Sequence, residues 1–183
     1  MTRLLLLRHP RAALPVLLAA LALSMSACHS AASASPADAP GHAVVVSVID
    51  GDTIVVSLAG RHEHVRLIGV DTPETVDPRK PVACFGPQAS AFTKHLLVAG
   101  TVVRLERDPE SRDVYGRLLA YVYREPDELF VNLELARQGM ADVLPITPNI
   151  THADTFRAAV DDARAAKRGL WAACSAFGVP ATG

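Results

Sequence analysis

The sequence predicts an α+β domain in which five strands form a small closed barrel and about three helices pack against it. Two observations support this prediction. Five short segments, most of them rich in β-branched residues, are separated by turn residues, so that most of them follow one another as hairpins. Three further segments are predicted as helices, two of which end at a glycine.

The predicted strands are set off by recognisable turns. Asp50-Gly51-Asp52 separates the first strand from the second, and Ala59-Gly60 joins the second to the third. The strands cover residues Ala43–Ile49, Thr53–Leu58, His62–Ile68, Thr101–Glu106 and Arg117–Tyr123. After the third strand, prolines at 73, 78 and 81 exclude regular structure from residue 72 to residue 83, which predicts a long loop.

The three predicted helices follow that loop. The first begins at Pro87, runs to about Val98 and is ended by Gly100. A short second helix covers about Val131–Gln138. The third covers about Asp154–Arg168, with an apolar face that contains Phe156, Ala159, Val160 and Ala163.

The N-terminus is predicted to be an export signal. Three arginines precede an apolar stretch from Leu14 to Leu23, and small residues follow. This stretch is too short to span a membrane. We therefore divide the chain into a signal peptide (1–27), a flexible Ala/Ser/Pro tether (28–42), the barrel domain (43–175) and a C-terminal tail (176–183).

Two routes of maturation remain open. Met25-Ser26-Ala27-Cys28 resembles the lipobox of bacterial lipoproteins, in which the cysteine becomes the acylated N-terminus. Cleavage by ordinary signal peptidase, for instance after Ala32 or Ala34, is the alternative. The protein is accordingly expected to be exported, either anchored to a membrane through a lipid on Cys28 or free in the periplasm or the medium.

The cysteines agree with export. Without Cys28, Cys84 and Cys174 remain as a pair in an oxidising compartment. One precedes the first long helix and the other follows the last helix, so a disulfide could attach the chain end to the domain. Two free thiols are the alternative.

The charge balance limits how the domain could hold nucleic acid. Three of the 18 Lys and Arg residues precede Cys28, which leaves 15 against 19 Asp and Glu, a net charge of −4 for the exported part. Phosphate contacts usually come from a basic surface. We therefore expect weak, salt-sensitive and distributive binding of a nucleic-acid substrate.

Two carboxylates, Asp52 and Asp71, lie where a predicted strand meets a turn. With the backbone carbonyl of Thr72 they offer oxygen ligands, which hard cations such as Ca²⁺ prefer. Glu74 could position or deprotonate water, while Arg66 and Arg117 offer paired donors to phosphate oxygens. This combination predicts attack on a phosphodiester. The non-catalytic alternatives are a turn carboxylate for Asp52, a structural ion pair for Arg66 and a solvated loop cation for Arg117.

The motifs also resemble the staphylococcal nuclease family. The shared segments are Asp50-Gly-Asp-Thr53, Arg66-Leu-Ile-Gly-Val-Asp-Thr-Pro-Glu-Thr75, Asp113-Val-Tyr-Gly-Arg-Leu-Leu-Ala-Tyr121, Gly86–Lys94, Val131–Leu135, Arg137-Gln-Gly139, Pro148-Asn149 and Thr151-His152. Together they cover roughly Val44 to Trp171. This resemblance implies an OB-fold barrel, Ca²⁺ at Asp52, Asp71 and Thr72, and Glu74 as general base or water-orienting group.

The resemblance further implies a Ca²⁺-dependent endonuclease that hydrolyses DNA and RNA and leaves 3′-phosphate ends, and the N-terminal signal predicts that it is exported. Tyr115 is expected to contact a phosphate of the substrate, and the protein is expected to be a monomer. The family's pocket tyrosines are absent from Ala141–Thr147, which leaves base preference open. The alternative function is a catalytically silent OB-fold module for nucleic-acid binding or surface interaction.

Overall fold

A computed structural model describes residues 39–125 and 127–181 of the chain. Its elements, in chain order, are β1 (His42–Asp50), β2 (Thr53–Leu58), β3 (Arg61–Leu67), β4 (Gly69–Asp71), α1 (Gly86–Leu96), β5 (Val102–Glu106), β6 (Leu118–Arg124), β7 (Leu129–Phe130), α2 (Val131–Arg137), β8 (Asp142–Leu144), α3 (Ala153–Ala165) and α4 (Leu170–Ala173).

Five of these strands close into a barrel. They are hydrogen-bonded in the order β3-β2-β1-β5-β6, and β3 also pairs with β6, which joins the two ends. The closing pair is parallel and places Arg66 opposite Leu119, whereas the other pairs within the barrel are antiparallel. The two-residue strand β7 adds to β6 outside the barrel. The predicted five-stranded OB-fold barrel is confirmed.

The barrel interior is filled by alternate residues of its strands. In β3, Val65 and Leu67 are buried, and Ile54 and Val56 of β2 are fully buried beside them. Removing this apolar surface from water is the main term that favours the closed barrel. The core consists of one cluster that also includes residues of α2 and α3.

The helices pack against the barrel, with α1 on β1 and α2 on β6. Asn132 of α2 is fully buried and binds three backbone groups of the barrel: its Oδ1 accepts from Val122, and its Nδ2 donates to the carbonyls of Ile68 and Ala120. Phe156 of α3 lies where a Cβ on Gly69 would be, 2.3 Å from that position. This close approach requires glycine at 69, which also has φ +82°.

Several boundaries differ from those predicted. The third strand ends at Leu67 rather than Ile68, because Gly69 turns the chain into β4. The first helix ends at Leu96 rather than Val98, since Leu97 leaves the helical conformation. The third ends at Ala165 rather than Arg168, and Lys167 follows with φ +49°. The short pair β4–β8 and the one-turn helix α4 were not predicted.

The C-terminal residues lie against the loop before α1. Cys84 and Cys174 form a disulfide with a Cα–Cα distance of 6.0 Å. Residues 179–181 of the predicted tail pair with residues 82–84, with Ala83 opposite Pro180. The predicted signal peptide, Cys28 and the tether as far as residue 38 lie outside the described residues. Among residues 39–125 and 127–181, no helix is long and apolar enough to cross a membrane.

Candidate active site

Asp52 lies where the turn between β1 and β2 contacts the chain that follows β4. Asp52 lies between β1 and β2 and is buried, and its Oδ2 accepts hydrogen bonds from the backbone N–H and the hydroxyl of Thr72, at 2.8 and 3.0 Å. A Cβ on Gly51 would lie 2.6 Å from the Thr72 Oγ1, so only glycine permits this approach. The Asp52 carboxylate is therefore fixed directly beside the chain that follows Asp71.

Arg66 lies between the two predicted metal carboxylates. Its Nε is 3.3 Å from Oδ1 of Asp52, and its Nη2 donates to Oδ1 of Asp71 at 2.9 Å. Its Nη1 donates to the backbone carbonyls of Leu67 and Val70. The side chain is only 13% exposed. Arg66 thus makes the structural ion pairs that we considered as an alternative, and it makes them inside the predicted site.

Glu74 is held by the loop that follows β4. Its Oε1 accepts hydrogen bonds from the backbone N–H groups of Thr75, Val76 and Asp77, at 2.8–3.0 Å. Burial works to raise the pKa of Glu74, but these three donors stabilise the ionised form more strongly, so the pKa lies below its usual value. Glu74 is therefore a carboxylate at neutral pH.

Arg117 immediately precedes β6, and Asp113 orients it. Oδ1 of Asp113 accepts from the backbone N–H of Arg117 at 2.9 Å, and Oδ2 accepts from its Nε at 2.7 Å. The Nη1 reaches toward the hydroxyl of Thr53, 3.5 Å away. Because β6 pairs with β3, Arg117 is brought to the same end of the barrel as Arg66.

The five side chains that were predicted to bind metal or to act in catalysis all line one cavity of about 410 Å³. They are Asp52, Arg66, Asp71, Glu74 and Arg117, and Thr72 lines the same cavity. Tyr115 does not line it. The Tyr115 side chain is largely exposed and lines a neighbouring cavity of about 330 Å³, which shares Arg66 and Arg117 with the first.

A sequence profile described as "Staphylococcal nuclease homologue" matches residues 64–173, which include the end of β3, all of β6 and the Glu74 loop. The chain belongs to the staphylococcal nuclease family. It is 45% identical over 138 residues to a thermonuclease of Staphylococcus intermedius, an alignment that covers 75% of this chain and 80% of that protein.

Two other relatives support membership of the staphylococcal nuclease family. A thermonuclease of Staphylococcus hyicus is 44% identical over 127 residues, which is 69% of this chain and 73% of the relative. The endonuclease YncB of Bacillus subtilis (strain 168) is 42% identical over 125 residues, which is 67% of this chain and 58% of that protein.

The acidic groups of this family member repel one another at the site. Burial raises the pKa of Asp71 to about 6; the positive charge of Arg66 opposes that rise, and the negative charges of Asp52, Asp142 and Glu74 add to it. Burial also raises the pKa of Asp50. A bound cation would relieve this repulsion.

The predicted ligands suit a hard cation that takes only a few of its ligands from the protein. The predicted ligands are two carboxylates and a backbone carbonyl, all oxygen. Among residues 39–125 and 127–181, no group of three or more His, Cys, Asp or Glu side chains is arranged to hold a metal ion. A cation held by Asp52, Asp71 and Thr72 would therefore take its other ligands from water or a phosphate.

The neighbouring cavity is mostly apolar. Leu144 and Ile146 contribute to its wall from the segment that lacks tyrosines, and Val114 and Tyr115 from the loop before β6. Tyr115 is also close to Arg117, whose Cζ lies 5.5 Å from the ring centroid. In this member of the family, the segment 141–147 thus contributes aliphatic side chains to this cavity, and Tyr115 is the aromatic residue in its described lining.

Sequence reasoning overlooked two carboxylates of the site. Asp113 orients Arg117, and Asp50 is buried in the same cavity wall as Asp52, where it accepts hydrogen bonds from the Thr75 hydroxyl and the Gly51 N–H. Both lie inside the motifs quoted above. Their position in those motifs was the available signal.

Proposed function

We propose that this chain is an exported, Ca²⁺-dependent endonuclease that hydrolyses the phosphodiester bonds of DNA and RNA and leaves 3′-phosphate ends. Its family makes it a nuclease, and so a hydrolase. The observation that carries the finer proposal is the convergence of Asp52, Arg66, Asp71, Glu74 and Arg117 on one cavity.

The two arginines would bind the scissile phosphate. Arg117 commits its Nε to Asp113, and among the described residues the hydroxyl of Thr53 is the one hydrogen-bond partner of its Nη groups. Those Nη groups can therefore turn to phosphate oxygens. Arg66 is held in place by Asp71 and two backbone carbonyls, so it offers a positive charge whose position does not change during the reaction.

Glu74 would position the attacking water. Its Oε1 is occupied by three backbone N–H groups, which leaves Oε2 to accept a proton or a hydrogen bond from water. The low pKa keeps it ionised, so it orients water more readily than it retains a proton. Attack in line with the 5′ P–O bond breaks that bond and leaves phosphate on the 3′ side.

Ca²⁺ held by Asp52, Asp71 and the Thr72 carbonyl would act as a Lewis acid that polarises the phosphate and partly neutralises its charge. The same ion would offset the repulsion between the carboxylates that line the cavity. Binding of the ion and of a phosphate is thus expected to be cooperative at this site.

Single-stranded or frayed substrate should be preferred. The site is a cavity at one end of the barrel, so a phosphate must enter while its flanking bases separate. The net charge of −4 outside the signal predicts weak holding of intact duplex. This charge also disfavours a silent binding module, because such a protein would depend on basic surface for its affinity.

The localisation is part of the proposal. The N-terminal pattern supports export, with either a lipid anchor on Cys28 or cleavage nearby and release. Mass spectrometry of the mature N-terminus distinguishes the two. A diacylglyceryl group on Cys28 indicates anchoring, whereas a free alanine or serine N-terminus rules it out.

A DNA-degradation assay with Ca²⁺, repeated with a chelator, tests the activity. We expect cleavage with Ca²⁺, none with chelator, and 3′-phosphate ends in the products. Glu74→Ser and Arg117→Ala should each lower the rate at least about 100-fold with the fold intact. If the purified protein binds DNA but never shortens it at any Ca²⁺ concentration, the binding module is correct instead.

A further inference from the structure

Residues 82–84 form a short extended segment with a neighbour on each side. On one side is the C-terminal segment: the N–H of Cys84 donates to the carbonyl of Val179 at 2.7 Å, and the N–H of Ala181 donates to the carbonyl of Val82 at 2.9 Å. Pro180 lies opposite Ala83 in this antiparallel pair. Pro180 has no N–H, but the two hydrogen bonds that flank it use the carbonyl of Val179 and the N–H of Ala181 instead.

On its other side this segment contacts the loop that carries Glu74. The N–H of Ala83 donates to the carbonyl of Glu74 at 2.9 Å. In an extended chain, successive N–H groups point to opposite sides. Val82 and Cys84 therefore bind the C-terminal segment on one side, and Ala83, between them, binds Glu74 on the other. The backbone of Glu74 is therefore linked to the C-terminal segment through a single intervening residue, Ala83.

The start of α1 confines Glu74 from a third direction. Gly86 is buried, and a Cβ at that position would lie 3.0 Å from the carbonyl oxygen of Pro73, 3.1 Å from that of Glu74 and 2.6 Å from the Cγ2 of Thr75. The loop backbone thus lies in direct contact with the helix terminus. We therefore expect a displacement of residues 82–86 to move Glu74.

The Cys84–Cys174 disulfide fixes this arrangement covalently. Cys84 lies between Ala83, which binds the Glu74 backbone, and Gly86, which packs against it, and Cys174 immediately follows α4. The two cysteines are 90 residues apart in sequence, so the bond attaches the end of the chain to a loop near its middle. The three hydrogen bonds described here join backbone atoms, so they do not depend on which side chains these residues carry.

We propose that residues 173–181, attached through the Cys84–Cys174 disulfide, are a positioning element for Glu74. This segment, which we call the C-terminal clasp, touches no substrate; it holds residues 82–86 so that the Glu74 carboxylate stays at its place in the cavity. The inference rests on the proposed function of Glu74. Loss of the clasp should misplace Glu74 without altering the cavity beside Tyr115, which other elements form.

The test is a double-mutant cycle in the full-length protein. The Cys84→Ser/Cys174→Ser variant should show a kcat about 10- to 100-fold lower on an oligonucleotide substrate, with a KM within about twofold of wild type. Glu74→Gln alone should lower kcat more than the loss of both cysteines does. In the Glu74→Gln background, removing the cysteines should have no additional effect on kcat, because the group that the clasp positions is already gone.

A second variant and a matched control separate positioning from general destabilisation. Ala181→Pro removes the N–H that binds Val82 while it leaves the disulfide in place, and kcat should again fall in the wild-type background only. Val160→Ala creates a cavity beside α3, where Val160 is fully buried and lines neither of the two cavities described above. It should lower the melting temperature and leave kcat unchanged well below that temperature.

The clasp proposal would be overturned if the losses of kcat in the cysteine variant and in the Glu74→Gln variant multiplied when the substitutions are combined. It would also be overturned if the cysteine variant changed KM and not kcat. A wild-type kcat in both the cysteine variant and Ala181→Pro would also overturn it. These outcomes differ from failure of the proposed function. In that case the wild-type protein itself would show no Ca²⁺-dependent cleavage that depends on Glu74.

Discussion

Asp113 binds Arg117 twice, through Oδ1 to its backbone N–H at 2.9 Å and through Oδ2 to its Nε at 2.7 Å. The two bonds fix both the start of β6 and the direction of the guanidinium. The same bonds lower the pKa of Asp113 in spite of its burial, so the carboxylate is ionised throughout the neutral range. Asp113 thus sets where the charge of Arg117 lies in the cavity.

Replacement of Asp113 should therefore damage catalysis without removing any group that touches substrate. We expect Asp113→Ala to lower kcat/KM by about 10- to 100-fold, because the released guanidinium samples other directions. Steady-state hydrolysis of a short oligonucleotide measures the effect. Asp127→Ala, which breaks an exposed pair with Arg124 on another part of β6, is the control and should keep full activity. Equal activity of the two variants would contradict the assigned role.

Gly86 should tolerate no side chain. Gly86→Ala would place a Cβ 2.6 Å from Thr75 and 3.0 Å from the Pro73 carbonyl, so the loop or the helix must move. We expect the free energy of unfolding to fall by about 1–3 kcal/mol, together with kcat. Urea denaturation and kinetics measure these effects. The control is Gln88→Ala, at an exposed position of the same helix, which should change the stability by less than about 0.5 kcal/mol.

Asp71 should make the metal-free protein less stable as the pH rises. Its folded pKa of about 6 exceeds the ordinary 3.8, so the native state holds an extra proton between these two pH values. The free energy of unfolding should consequently fall through this window, by roughly 1 kcal/mol once the partial exposure of Asp71 is allowed for. Urea unfolding with chelator, from pH 4 to 7, measures the loss relative to Asp71→Asn. Parallel curves for the two proteins would refute this expectation.

Ile146 offers a way to restore an aromatic surface to the apolar cavity. Ile146→Tyr should tighten binding of a mononucleotide by about 1 kcal/mol, or roughly fivefold, because a ring at this position can stack on a base. Isothermal titration in the presence of Ca²⁺ measures the affinity. Ile150→Tyr is the control, since Ile150 is similarly exposed but does not line the cavity. If both variants bind alike, the cavity does not contact the base.

Sequence patterns identified the elements whose signals are local. The strand Thr53–Leu58 was predicted to the residue, because its β-branched run lies between two turns that glycine permits. The pair β4–β8 could not be predicted in this way. Each of its strands has three residues, and their partners are far apart in sequence, so the pairing depends on the packing of α2 and α3 rather than on local periodicity.

The same distinction applies to the site. Asp52, Arg66, Asp71, Glu74 and Arg117 could be chosen because several motifs occur together in one order. The orienting role of Asp113 was not predicted, because its place in a motif does not say which group it binds, and a loop aspartate most often accepts hydrogen bonds within its own turn. The ion pairs of Arg66 with both predicted metal ligands, Asp52 and Asp71, also depend on distances that a sequence does not contain.

The parallel pairing of β3 with β6 has a consequence for when the protein can act. Arg66 lies within the closing pair and Arg117 is adjacent to it, so the two guanidinium groups become neighbours only when β3 and β6 have paired. A chain in which the barrel is still open lacks this pair of charges and should not cleave nucleic acid. Nuclease activity is therefore a property of the completed tertiary structure.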